Sequence, residues 1–194
     1  MSMKSGFTIK NHVFLKDLES ANLIVTGYGQ HGKDTACEII EQDFGLSFIS
    51  SSMMACQKFL YKKLKPIYGY TSIEECFKDR HNKRDLWHDE IFDYNTPLLT
   101  RLSRDIFANH PIYCGARNRP ELLAIKEERP HTIVIWVNAD LRKPPESSSS
   151  MSITEDDADI ILYNNEEDEK LNSLRENIHE LMNALPKIKI HQPL

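Results

Sequence analysis

Glycine is scarce in this chain. Seven occur in 194 residues, where average usage would give about fourteen, yet Gly27, Gly29 and Gly32 fall within six positions. Cysteine is scarce too: Cys37, Cys56, Cys76 and Cys114 stand apart with no C-x-x-C pair. That spacing excludes a disulfide framework, speaks against a zinc site, and predicts reduced, packed thiols in a cytoplasmic protein. Long apolar runs are missing, since the longest, at 132–137 and 160–163, have the length of strands and not of a membrane span. Residues 1–21 are interrupted by Lys4, Lys10, Lys16, Asp17 and Glu19, which leaves no apolar centre for a secretory leader. Positive charge is also in deficit. A net charge of −5 does not suit a general nucleic-acid binder, although a few placed Arg and Lys suffice for a small phosphorylated substrate.

A hydrophobic fraction of 40% beside 27% charged residues supplies the core of one globular domain. Strand-length apolar runs alternate with segments of helical period, the pattern of an α/β protein. Strands are expected at 23–26, 46–49, 111–115, 132–137 and 160–163, and helices at 33–42, 53–64, 120–128 and 167–185. The stretch 71–109 reads as wholly helical, in three pieces, and forms an insertion. Thr71 with Glu74 fits a cap and its partner, and Thr96-Pro97 fits a helix start. Residues 1–21 read as an N-terminal extension. The segment 141–157 holds Pro144, Pro145, four consecutive serines and the acids Glu155, Asp156 and Asp157. It reads as a flexible solvated loop, or as a mobile segment near a nucleotide with Arg142 and Lys143 at its base. The tail after 186 reads as a loosely held end.

The chemistry concentrates at 27–35, Gly27-Tyr28-Gly29-Gln30-His31-Gly32-Lys33-Asp34-Thr35, between a strand and a helix. A G-x-x-x-x-G-K match arises by chance in roughly one such sequence in fifty, and the strand–turn–helix setting makes accident rarer still. Glycines let successive N–H groups turn inward as a nest for phosphate oxygens, and the helix start adds its dipole and unpaired N–H groups. Lys33 is placed to reach the β- and γ-phosphates of a nucleotide, and the Thr35 hydroxyl to hold Mg²⁺. The same residues spell G-x-G-x-x-G, the dinucleotide fingerprint. That reading requires an acid about 20 residues on, and no acid occurs between Asp43 and Glu74. Triphosphate binding is therefore preferred, with ATP as the ligand.

The ending Gly32-Lys33-Asp34-Thr35 resembles that of the phage deoxynucleoside monophosphate kinases, whose loop closes on the same G-K-D-T. Kinases similar to adenylate kinase show a comparable offset of the hydroxyl, with G-K-G-T. Pro111 to Arg119 resembles the family's strand followed by an arginine-bearing turn, and His131 to Val137 with Ala158 to Asn165 resembles its C-terminal half. The likeness spans roughly 22–185, but only the phosphate loop is specific. It implies a three-layer α/β/α fold with a parallel sheet, a helical acceptor-binding insertion, and transfer of the γ-phosphoryl group of ATP to a deoxynucleoside monophosphate with Mg²⁺. Two other readings stay open: a kinase acting on a hydroxymethylated base within DNA, and, of another class, a nucleotide-binding regulatory module without transfer. A homodimer also stays open. One departure stands out. Such kinases carry an Asp at the end of the central strand, where this chain has Ile112-Tyr113-Cys114-Gly115; Asp140 is a substitute candidate.

Gly27, Gly29, Gln30, His31, Gly32, Lys33, Asp34 and Thr35 are the nucleotide-binding candidates, with Thr35 on the metal. Asp34 either approaches substrate or simply favours the helix dipole. Arg117 and Arg119 follow a buried strand, where an arginine fork meets phosphate; Arg117 is taken as catalytic and Arg119 as acceptor-binding. Arg101 and Arg104 lie opposite Leu98, Leu102 and Ile106, as a solvated face or as cations over the transferring group. Arg104 is assigned to catalysis and Arg101 to the acceptor. Arg80 and Arg84 are weighed alike, with Arg84 assigned to the acceptor. Ser51 follows the second strand as an acceptor contact or a helix cap. Trp87, Phe92 and Tyr94 read as packing before base stacking.

Overall fold

The computed structural model describes residues 6–11, 21–145, 151–166 and 171–185. Its centre is a six-stranded sheet: β1 (Phe7–Ile9), β2 (Leu23–Thr26), β3 (Phe48–Ser50), β4 (Ile112–Cys114), β5 (Ile133–Asn138) and β6 (Ile160–Tyr163). The spatial order is β1-β6-β5-β2-β4-β3. All pairings are parallel except that of β1, which runs antiparallel to β6. The sheet is therefore parallel as expected, with one antiparallel edge strand drawn from the stretch read as an N-terminal extension.

Strand side chains alternate between faces, and a sheet covered on both sides needs apolar residues at every position. Every residue of Ile133–Asn138 is buried. Leu23, Val25, Ile133, Ile135 and Val137 join one core cluster, while Ile24, Val134 and Trp136 join the other. The first cluster is covered by α1 (Lys33–Phe44) and α8 (Asn172–Ala184). These helices bury Ala36, Cys37, Ile39 and Ile40, and Leu174, Ile178 and Leu181. The second is covered by α2 (Ser51–Ala55), α3 (Tyr61–Tyr68), α4 (Ile73–Asp79), α5 (Arg84–Tyr94), α6 (Arg101–Phe107) and α7 (Arg119–Glu128). The result is a three-layer α/β/α fold.

Differences from the sequence expectations are local. The second strand begins two residues later than expected, at Phe48, and its helix starts at Ser51 and runs through a π-helical turn (Cys56–Leu60) to Tyr68. Thr71 is not the cap of α4: Ser72 Oγ accepts from Glu75 N–H, and Thr71 donates its N–H and hydroxyl to the Glu75 carboxylate. The helical stretch does divide into three helices, with a 3₁₀ turn at Arg80–Asn82. Thr96-Pro97, however, is a cis peptide in a loop, and α6 begins only at Arg101. There the buried Asn95 side chain accepts from Leu102 N–H at 2.9 Å, doing the work assigned to Pro97. The closing helix begins at Asn172; residues 167–170 of the expected helix lie outside the described residues, as do 146–150 and the tail from 186.

Candidate phosphate-binding site

β2 is central in the sheet, and its carboxyl end opens into the turn at 27–32, the place where α/β sheets hold ligands. Thr26 Oγ1 donates to Ala116 O at 2.6 Å, joining this end to the segment after β4. Two glycines are required by close approach: a Cβ on Gly27 would stand 2.6 Å from Val137 O, and one on Gly32 would stand 2.4 Å from Asn164 Nδ2. Gly32 also has φ 93° and Gln30 φ 64°, both left-handed, a conformation that glycine adopts at little cost. The turn passes through Gly29 between them. No side chain caps α1 at Gly32, so the N–H groups of its first turn remain for an anion.

Lys33, the first residue of α1, is 13% exposed at its side chain, and its Nζ lies 3.9 Å from Asp34 Oδ2. Its Cε packs 3.6 Å from where a Cβ of Gly115 would stand. Asp34 is 62% exposed at its side chain and accepts from Cys114 Sγ at 3.6 Å. The Asp34 carboxylate, carried by α1, thus stands beside the end of β4. Burial holds the Cys37 thiol far above its ordinary range, reinforced by its hydrogen bond to Cys114. Thr35, one residue further along α1, is partly exposed, and its hydroxyl has no hydrogen-bond partner among the described residues.

His31 is placed differently from the expectation. Its ring is fully buried; Nδ1 accepts from Ala139 N–H at 3.1 Å, and Nε2 lies 3.1 Å from Lys143 O, which sets the proton on Nε2. Asn164 Nδ2 donates to His31 O at 2.9 Å. The His31 ring pins the turn to the segment after β5, and its carbonyl, accepting from Asn164, ties it to the segment after β6; both ring nitrogens are engaged. Asp140 lies on this flank, accepting from Asn138 Nδ2 at 3.0 Å and 3.9 Å from His31 Nε2.

The arginines separate into two groups. Arg104 donates to Glu128 Oε1 at 2.8 Å. Glu128 ends α7, which has run from the carboxyl end of β4 back toward the start of β5, so Arg104 is held at the opposite end of the sheet from Lys33. Arg101 lies over the Tyr94 ring, 4.2 Å from its centroid, and Arg119 is paired with Asp157 at 2.6 Å. These three are engaged in contacts the sequence could not reveal. Arg84 is exposed at the start of α5. Arg117 lies in the segment between β4 and α7, where its carbonyl accepts from Ser152 N–H at 2.9 Å. Arg80 is the guanidinium that the sequence did not distinguish. It donates to Phe77 O at 3.0 Å and lies 3.9 Å from the Phe77 ring centroid. Burial lowers its pKa, opposed by the charge of Asp34, with the neighbouring Arg84 adding to the fall. Helical spacing gives no signal separating Arg80 from Arg84; the turn at 80–82 does.

Ser51 is not the helix cap, which falls on Ser50, whose Oγ accepts from Met53 N–H. Ser51 Oγ donates instead to Gly115 O at 3.3 Å, beside Lys33. Trp87 is buried, and Tyr94 is stacked on Phe59 with centroids 4.4 Å apart, so both are packing residues, while Phe92 is exposed. The acidic end of the 141–157 segment is tied down: Glu155 accepts from Asn138 at 2.7 Å and Asp157 from Arg119. A cavity of about 280 Å³ opens beside Tyr28, lined also by Trp136, Asp140 and Thr154. A broader one of about 650 Å³ on the helical stretch is lined by Glu74, Glu75 and Asp79 and shares no residue with the Lys33 environment. Those acids would repel a phosphate.

No protein-family model matches the chain, and no curated protein matches it in sequence. Among solved structures, a sugar kinase from Janibacter sp. HTCC2649 is similar at 13% identity and a TM-score of 0.41, over 84% of this chain and 93% of that one. A gluconokinase from Sinorhizobium meliloti 1021 is similar at 14% identity and a TM-score of 0.46, over 87% of this chain and 97% of that one.

Proposed function

We propose that this protein is an ATP-dependent phosphotransferase whose acceptor is a deoxynucleoside monophosphate. The observation that carries the reading is the grouping of Lys33, the uncapped start of α1 and the Asp34 carboxylate at the carboxyl ends of β2 and β4. The acceptor class rests on the G-K-D-T resemblance, in which the helices between β3 and β4 would border the acceptor.

The turn N–H groups and Lys33 bind the donor phosphates and orient the γ-phosphoryl group. The residues present suit Mg²⁺: Thr35 brings an unengaged hydroxyl to the first turn of α1, where it would hold the ion. Bound Mg²⁺ supplies charge neutralisation on the phosphates. An acceptor phosphate oxygen forms the new bond to the γ-phosphorus as the bond to the ADP oxygen breaks. The attacking oxygen is already ionised, so no base is needed. Asp34 borders the attacking side and orients Lys33, while Arg80 offsets charge on the anionic acceptor. Positioning and electrostatics supply most of the acceleration.

The test is ATP consumption with Mg²⁺ against ribo- and deoxyribonucleoside monophosphates. Turnover with one or more deoxynucleotides supports the reading. Binding of ATP with no monophosphate consumed would remove it.

A further inference from the structure

Trp136 is a core residue that also walls the cavity beside the turn. It is 1% exposed, yet it lines that space of about 280 Å³ together with Tyr28, Asp140 and Glu155. Its indole N–H makes no hydrogen bond among the described residues. Nor is it one of their fully buried unpaired side-chain nitrogens, which are Trp87 Nε1 and His110 Nδ1. The little of Trp136 that stays exposed therefore includes the N–H, and it is exposed to the cavity. Tyr28, half-buried, stands edge-on to the indole, with centroids 5.0 Å apart and planes at 88°. Its ring forms a second aromatic wall.

The carboxylates beside this donor only accept. Asp140 and Glu155 share one nitrogen, Asn138 Nδ2, at 3.0 and 2.7 Å. His31 Nε2, 3.9 Å from Asp140, is committed to Lys143 O, and Asp156 at the rim has Lys10 at 3.9 Å. A neutral amide leaves the repulsion between Asp140 and Glu155 largely uncompensated, and a carboxylate accepts at about four sites. A second NH₂ group can therefore serve both as Asn138 does, while an acceptor atom next to it takes the Trp136 N–H. A ring nitrogen beside an exocyclic amine is that pair, as in cytosine and adenine; uracil and thymine carry a carbonyl oxygen in place of the amine. The volume lies just below the range of drug-sized pockets, which suits one base and not a whole nucleotide. The carboxylates turn the phosphate end away, toward Lys33. We propose that this cavity is a subsite for a heteroaromatic base bearing an exocyclic amine, with Asp140 and Glu155 accepting from the amine, Trp136 donating to the ring and Tyr28 packing against it. That the base belongs to a nucleotide rests on the phosphotransferase reading; donor adenine and acceptor cytosine or adenine share the chemistry.

The test is calorimetric binding of matched pairs to the full chain, dCMP against dUMP and dAMP against dIMP, which differ at the amine and the adjacent ring nitrogen. The amine-bearing member should bind about tenfold tighter or more in at least one pair. Glu155→Gln presents a donor as well as an acceptor, so it should shrink that preference. Tyr28→Ala should weaken both members alike, because packing on the ring face does not read its edge. Equal binding within both pairs, no binding of any of the four, or a preference undiminished in Glu155→Gln overturns the proposal. A non-hydrolysable ATP analogue separates the two sources. A preference that persists beside the bound analogue assigns the cavity to the acceptor base, and one that the analogue abolishes assigns it to the donor adenine. Should ATP go unconsumed with every monophosphate while the preference holds, the phosphotransferase reading falls and the base subsite stands.

Discussion

Replacing Glu121 with glutamine should change how stability depends on pH, not merely its level. Burial raises this carboxyl from 4.5 to about 7, with the Tyr113 hydrogen bond acting weakly the other way. A raised pKa means that the folded chain keeps a proton the unfolded chain releases. The stabilisation is complete below pH 4.5 and is lost as pH rises through 7. The difference of roughly two and a half pH units corresponds to about 3 kcal/mol, or a fall of roughly 6–12 °C in Tm for a domain of this size. Glutamine does not titrate. Its amide oxygen still accepts from Tyr113, but its NH₂ is left buried without a partner, a constant cost of about 1–3 kcal/mol. Urea unfolding at pH 5, 6, 7 and 8 should therefore show wild type losing about 3 kcal/mol relative to Glu121→Gln across the series. Parallel curves would refute the reasoning, because they would mean that the carboxyl is solvated and ionised in the folded chain.

Other substitutions separate the site from its surroundings. Arg80→Ala should depress turnover at saturating ATP, whereas Arg104→Ala, which breaks an exposed pair with Glu128 far from Lys33, should leave kinetics unchanged; steady-state assays of both decide it. Gly32→Ala should cost about 1–3 kcal/mol, since φ 93° is strained for alanine and its Cβ would meet Asn164; thermal unfolding and ATP affinity should fall together. His31→Ala leaves Ala139 N–H and Lys143 O without the ring that joins them, a loss of about 1–3 kcal/mol. Calorimetry should also show weaker ATP binding, because the turn loses its pin.

What was legible in the sequence was what local pattern encodes. The tight turn after β2 was legible at Gly27 and Gly32 because close backbone approach and positive φ demand glycine. Ile133 to Val137 declared a buried strand because a doubly covered sheet tolerates apolar residues alone. Phe7–Ile9 escaped notice: three residues show no period, and only pairing with β6 makes them a strand. The caps were displaced by one residue at Ser50 and Ser72, because neighbouring hydroxyls compete and packing selects among them. Arginine roles were least legible. Arg104 and Arg119 are defined by Glu128 and Asp157, 24 and 38 residues away, and a helical face cannot report a partner on another element. The approach of Asp34 to Cys114 likewise depends on α1 and β4 meeting in space.

The most direct test of phosphoryl transfer is ³¹P NMR of the protein with ATP, Mg²⁺ and each deoxynucleoside monophosphate, run beside Lys33→Ala. The account predicts equal amounts of ADP and a new nucleoside diphosphate with wild type, and neither with Lys33→Ala at matched protein concentration. A wild-type spectrum holding only unreacted ATP with every acceptor, or product formation undiminished in Lys33→Ala, would contradict it.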